Sequence, residues 1–270
     1  MISKSQNAAA KLFIKSIKDL TPKEQKEQCK ALIEHLKSKY VLSTIRGVLT
    51  HYRKLAKKEL INLDAYLSIS KAENNKIEKA YTKKIATQHK NLVQIKDIDG
   101  LINKAIEVLE SSVNPYELTA AVCLLSGRRM VEVVKVGRFF NHNYTIYQLK
   151  FKGQAKKKDD DKESFAIPTL CHKDLIKSAV KTIREKLQPE KLTNNEVNRK
   201  FETSVNMTTN KLFNAFLGRC TCHALRKAYA TICEYKYKES RQSTNSYLAE
   251  ILGHSENDLT TSNSYQFYYI

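Results

Sequence analysis

Tryptophan is absent from these 270 residues, and glycine and proline are scarce at 7 and 4. Globular chains average about 7% and 5% of the last two, so a turn-dense all-β fold is excluded and a mainly helical protein is expected. Long apolar runs are missing too. The longest nearly unbroken one, Leu118 to Leu125, is far short of the ~20 residues a membrane-spanning helix requires. The N-terminal stretch MISKSQNAAAKLF has no apolar run ahead of a small-residue cleavage site, which argues against a secretory signal. No membrane association and an intracellular location are the resulting expectations. Cys29, Cys123, Cys171, Cys220, Cys222 and Cys233 form neither a Cys-x-x-Cys pair nor a disulfide framework, so they read as reduced small hydrophobes, with no metal site.

Acidic residues are the remaining shortage. Lys and Arg number 47 against 28 Asp and Glu, a formal charge of +19 with a pI near 9.5, and mean hydropathy is −0.50. The excess is not confined to a tail: residues 1–100 hold 21 basic and 10 acidic side chains, and the other 170 hold 26 and 18. A folded chain that is basic throughout suits a long polyanion, because each neutralised phosphate releases condensed counterions. A Lys-rich solvated surface is the bland alternative.

The first ninety residues read as basic amphipathic helices. Thr21-Pro22-Lys23-Glu24 combines a capping hydroxyl, Pro at the first helical position and Glu at the third, and Cys29, Leu32, Ile33 and Leu36 follow at helical spacing. Val48, Leu49, Tyr52, Leu55 and Ala56 trace a second apolar stripe. The pattern weakens between Thr82 and Asp99, which is the best linker candidate. We therefore expect a basic helical DNA-binding domain over 1–92 and a second domain over 93–270. Asn114-Pro115-Tyr116-Glu117 opens a very apolar helix. Tyr147, Leu149 and Phe151 then alternate with Gln148, Lys150 and Lys152, the two-residue period of a half-buried strand, and Phe165-Ala166-Ile167-Pro168 reads as its return partner across a charged connection. The fold class is mainly α with a small β-hairpin or sheet.

Four separated pieces carry chemistry: Ser126-Gly127-Arg128-Arg129 followed by Glu132; the hairpin with Lys150, Lys152, Lys156, Lys157 and Lys158; His223 and Arg226 on one helix face; and Leu252-Gly253-His254 followed by Tyr265. Two Arg, two His, a Lys and a Tyr in this order resemble the tyrosine recombinase (DNA breaking and rejoining) superfamily. Within it, SGRRMVEVVKVGRF, GQAKKK leading to AIPTL, and LGHSENDLTTSNSY are most similar to telomere resolvases, or protelomerases, over residues 95–270.

The resemblance implies a tyrosine recombinase-like catalytic domain behind a helical core-binding domain. It also implies a homodimer on a palindromic duplex in the cytoplasm or nucleoid of a bacterial host, in a prophage, plasmid or linear-replicon context. Tyr265 is then the nucleophile, with Tyr268 and Tyr269 as packing neighbours. Arg129 and Arg226 take up charge on the scissile phosphate, with Arg128 the rival for the first role and otherwise DNA-binding. His223 and His254 donate hydrogen bonds or relay the tyrosine proton. Lys156 protonates the leaving oxygen, with Lys157 and Lys158 as rivals; those two join Lys150 and Lys152 as DNA contacts. Glu132 orients an Arg or caps a turn. No cofactor is implied.

Phosphoryl transfer suits these types, since planar, permanently charged guanidinium forks match the oxygens on which charge develops. A phenol with a reference pKa near ~10 needs a cationic pocket to attack at neutral pH. The activity implied is cleavage of a palindrome through 3′-phosphotyrosyl links and resealing into closed hairpins. A site-specific recombinase, or an idle DNA-binding derivative, shares the same residues. Only Gln266 to Ile270 follow Tyr265, so a further C-terminal domain is expected to be lacking. Whichever applies, the charge makes affinity for duplex DNA fall linearly with salt on logarithmic axes; a flat retardation titration between low and physiological salt would count against the polyanion reading.

Overall fold

The computed structural model describes residues 3–142, 145–155, 163–254 and 263–270. The chain divides into two compact units, 1–86 and 87–270.

In the first unit, α1 (Lys4–Ile17), α2 (Pro22–Lys39) and α3 (Leu42–Lys58) are followed by α4 (Lys71–Lys90). Thr21 and Glu24 form the reciprocal capping box that their spacing announces: the Thr21 amide donates to the Glu24 carboxylate at 2.9 Å, and the Glu24 amide to the Thr21 hydroxyl. Ile14, Cys29, Leu36, Ile45, Leu49 and Tyr52 meet in a core, and the Phe13 and Tyr52 rings pack 5.6 Å apart. The weakly patterned stretch 82–90, expected as linker, is instead the last part of α4. None of the described side chains of α4 is buried. Although Ile77 packs part-buried against the core, the helix has no apolar stripe to betray its end, yet its Lys, Ala and Gln are good helix formers.

The second unit is built around α6 (Pro115–Ser126), whose residues from Leu118 to Ser126 are all buried. Asn114 caps its start by accepting from the Tyr116 amide at 3.0 Å. The helices α5 (Ile98–Ser111), α7 (Lys173–Leu187), α8 (Asn194–Leu217) and α9 (Cys222–Tyr237) surround it, and α10 (Thr244–Leu252) packs on α9. An antiparallel sheet of β2 (Arg138–Asn141), β3 (Gln148–Lys152) and β4 (Phe165–Pro168) lies in the order β2-β3-β4, with Lys150 opposite Phe140 and Ala166. The expected hairpin is thus the β3–β4 half of a three-stranded sheet. Leu149 and Phe151 point into the core as their alternation requires, while Tyr147 is exposed because the strand starts one residue later. β2 is too short to show a period of its own.

A second, two-stranded sheet pairs β1 (Val93–Gln94) with β5 (Tyr268–Tyr269) in parallel, Val93 opposite Tyr268. All six cysteines are buried and free. Among the described residues no helix is long and apolar enough to cross a membrane.

Gly127 ends α6 with φ +65°, and a Cβ there would run into the Tyr229 ring, which is itself fully buried with its hydroxyl donating to Pro168 O at 2.8 Å. Gly127→Ala therefore meets both backbone strain and overpacking, and should lower stability by about 2–4 kcal/mol. Urea unfolding midpoints of the two proteins test this.

Candidate active site

The left-handed turn at Gly127 sends two consecutive arginines in opposite directions. Arg128 turns inward and is 0% exposed. Its Nε donates to Ser126 O at 3.2 Å and its Nη2 to Ile251 O at 2.6 Å, with the guanidinium 4.8 Å from the Phe151 ring centroid. Burial, then repulsion from Arg226, pushes this guanidinium down to about 10, still charged at neutral pH. The expectation of Arg128 as a DNA contact is corrected by that position: its fork is enclosed by protein and satisfies carbonyls. It serves the core.

Arg129 turns the other way. Its Nη1 donates to Glu132 Oε1 at 2.7 Å and its amide to Glu132 Oε2 at 3.0 Å, so Glu132 both orients the guanidinium and caps the turn. Glu132 opens a π-helical turn, Glu132–Val136, and is 0% exposed. Burial by itself raises a carboxyl, but Arg226, Arg128 and Arg129 outweigh it and hold Glu132 below its ordinary value. Its Oε1 also accepts from the Ala155 amide at 3.2 Å, tying the base of the β3–β4 connection to the same carboxylate.

Arg226, on the first turns of α9, is 1% exposed. Its Nη1 donates to Gly127 O, its Nη2 to Leu252 O at 2.9 Å and its Nε to the Tyr265 hydroxyl at 3.3 Å. The α10 end is an electrostatic counterpart. Its last carbonyls lack helical partners, and Ile251 O, Leu252 O and Gly253 O accept from Arg128, from Arg226 and from Gln154 Nε2, the last at 3.0 and 2.9 Å to Leu252 and Gly253. Gly253, at φ +69°, lies so close to Gln154 and Phe165 that a side chain there would collide with both.

Tyr265 completes the pocket at 4% exposure. Burial raises its phenol, yet Arg226 and Arg129, by charge and by hydrogen bonds to the hydroxyl, outweigh that and hold it below the ordinary value. The His254 ring centroid is 5.2 Å from the Tyr265 ring and that of the exposed His223 is 6.0 Å away. Arg129, Arg226, His223, His254 and Tyr265 therefore share one site although up to 136 positions separate them in the chain, from 129 to 265. Lys150 is exposed and Lys152 half-buried on the outer face of β3. Lys156, Lys157 and Lys158 lie outside the described residues. Tyr268 is buried and Tyr269 exposed, both in β5 where they pair in parallel with Val93 and Gln94.

Two contributors carry no clear sequence signal. Arg184 on α7 donates to Val133 O, Glu132 O and Gly137 O, the last at 2.6 Å, and so pins the π-helical turn. It stands beside Ile183 at the border of an apolar stripe, where an Arg reads as surface. Gln154 is part of the GQAKKK motif, but nothing in that motif says it reaches Leu252. Among the described residues no group of His, Cys, Asp and Glu is arranged to hold a metal.

The family model of the telomere resolvase ResT/TelK catalytic domain matches residues 91–268. Telomere resolvase ResT of Borreliella burgdorferi is 27% identical over 149 residues, which is 54% of this chain and 33% of that protein. The protelomerase of Klebsiella oxytoca phage phiKO2 is 31% identical over 130 residues, 44% of this chain and 20% of that protein. The chain thus matches a third or less of the length of these curated relatives. Among solved structures, a protelomerase TelA variant covalently complexed with substrate DNA superposes with a TM-score of 0.88 at 23% identity, covering 98% of this chain and 89% of that one. A TelA variant complexed with DNA hairpin product gives 0.89 at 22% identity, covering 98% and 88%.

The opposing pulls on Tyr265 make a signed prediction. Arg129→Gln removes one cation and leaves burial, so the phenol should ionise at higher pH than in the parent. The tyrosinate absorbance of each protein, taken as a difference from its own Tyr265→Phe counterpart, should show that upward shift; a downward shift or none would contradict the assigned cause.

Proposed function

The chain belongs to the telomere resolvase ResT/TelK catalytic-domain family, and from that premise we propose that it cleaves a palindromic DNA duplex and reseals each strand into a covalently closed hairpin. The observation that carries the proposal is the Tyr265 hydroxyl held between Arg226 and Arg129 in one buried pocket. Tyr265 attacks the scissile phosphorus as its proton leaves, the phosphotyrosyl bond forms, and the strand's 5′ oxygen departs with a proton. Because the new ester keeps the energy of the broken phosphodiester, a 5′ hydroxyl reverses the step and displaces Tyr265 with no nucleotide cofactor.

Arg129 and Arg226 stabilise the charge that develops on the non-bridging oxygens. A guanidinium has five N–H bonds, and Arg226 directs three at Tyr265, Gly127 and Leu252, so one hydrogen on each Nη is left for a phosphate. His223 and His254 flank the phenol at distances suited to hydrogen-bonding the phosphate or relaying the tyrosine proton. Lys156 is the proton donor to the departing oxygen by family position. Lys150, Lys152, Lys157 and Lys158 line the DNA, and the basic helices of residues 1–92 form a DNA-binding domain ahead of the catalytic one, 93–270. A homodimer matches the twofold symmetry of a palindrome. The matched relatives come from a bacterium and from phages of bacteria, and the setting proposed is the cytoplasm or nucleoid of a bacterial host, on a prophage, plasmid or linear replicon.

The test is a denaturing gel of a replicated palindromic junction incubated with the protein. Snap-back hairpins are expected; recombinant duplexes would make the chain a recombinase, and retardation without cleavage a DNA-binding derivative. Tyr265→Phe should abolish covalent attachment, and Arg226→Gln should slow it by about 10²–10³, the usual cost of one charge-stabilising donor, with binding retained.

A further inference from the structure

The family likeness names the nucleophile but not what holds it in place. The eight residues that follow 262 are docked against a short stretch beginning at the end of α4. Gln88 Nε2 donates to Gln266 O at 3.1 Å and Ser264 O at 3.4 Å, the carbonyls on either side of Tyr265. His89 Nε2 lies 2.9 Å from Asn263 O, and since a carbonyl only accepts, that nitrogen carries a hydrogen. The Val93 amide donates to Phe267 O at 3.0 Å and the Ile95 amide to Tyr269 O at 2.8 Å. Gln88 is itself fixed: its Oε1 accepts from Lys227 Nζ at 3.2 Å, and that ammonium stands 4.6 Å from the Phe267 ring centroid. Lys227 is the next residue after Arg226. Two consecutive residues of α9 therefore supply both the guanidinium that meets the Tyr265 hydroxyl and the cation that steadies the side chain holding the Tyr265 backbone.

In-line attack tolerates little displacement of the attacking oxygen, and a phenol projects that oxygen far from its own backbone. A small rotation of the backbone at Tyr265 moves the hydroxyl off Arg226. The parallel pairing of β1 with β5 fixes the chain only from Phe267 onward, whereas Gln88 holds the carbonyls of Ser264 and Gln266, the residues before and after Tyr265, and His89 holds that of Asn263. We propose that Gln88 and His89 are positioning residues for the nucleophile, which seat the Tyr265 segment while touching neither phosphate nor phenol. This rests on Tyr265 being the nucleophile.

The experiment compares the parent with Gln88→Met, which keeps length and removes both donors, and with His89→Phe. Single-turnover covalent attachment to a palindromic duplex should slow about ten- to hundredfold in each variant, with DNA retardation unchanged. A 5′-phosphorothiolate at the scissile link, whose thiolate leaves without a proton, should not restore the rate, because the defect lies in attack and not in departure. Amide exchange should rise across residues 264–269 and stay as in the parent across α5 to α9. Unchanged attachment, rescue by the phosphorothiolate, or a loss of affinity and thermal stability in parallel with the rate would each overturn the inference. A parent that forms no adduct would overturn the proposed activity, and exchange at 264–269 would then decide separately whether the seat exists.

Discussion

Arg226 lies almost wholly out of water, and the site around it is arranged to make that tolerable. An ion moved from water into a protein interior loses several kcal/mol of hydration even after relaxation, so it persists only where fixed acceptors replace the water. The acceptors here are the carbonyl of Gly127 and that of Leu252 at the ends of α6 and α10, helix C-termini that carry partial negative charge. Arg128 repeats the arrangement on Ser126 and Ile251. Two guanidiniums thereby join two helix ends that share no sequence neighbourhood. The Arg226 Nε donates to the Tyr265 hydroxyl, and one hydrogen on each Nη remains beyond these three bonds.

Among the described residues Glu132 is the one fully buried carboxylate, and it answers three buried or half-buried arginines. Its removal would leave those charges uncompensated, the condition in which a broken buried pair becomes strongly destabilising. The π-helical turn that presents it has irregular carbonyls, and the single fork of Arg184 collects two of them and that of Gly137 just beyond. Rigidity thus passes outward by contact, from Arg184 to the turn, from the turn to Glu132, and from Glu132 to both Arg129 and the amide of Ala155. Charge stabilisation depends on such preorganisation, because dipoles and cations that are already oriented need no rearrangement as the reaction proceeds.

Much of this was legible in the residues. Capping signals at Thr21 and Asn114, the apolar run of α6 and the alternation of β3 follow from local rules, and local rules operate within a turn or two of the chain. Arg129, Arg226, His223, His254 and Tyr265, singled out by the resemblance that their short motifs carry, lie together in the fold. What stayed hidden has a common cause. Arg128 and Arg129 are neighbours of one chemical type, and only the left-handed turn at Gly127 decides which faces the core. The end of α4 leaves no pattern because none of its side chains is fully buried, and β2 and β5 leave none because two to four residues cannot show a period.

By itself, the sequence determined the composition of the site: the types of side chain, their chain order, the helices that bear them and the net charge that suits a polyanion. The tertiary structure alone decided which of two adjacent arginines reaches Tyr265, that Glu132 and Arg184 work as a unit, and that Gln88 and His89 seat the terminal segment. These are relations between residues tens to hundreds of positions apart. They depend on where packed helices end in space, and no local pattern of charge or hydrophobicity encodes that.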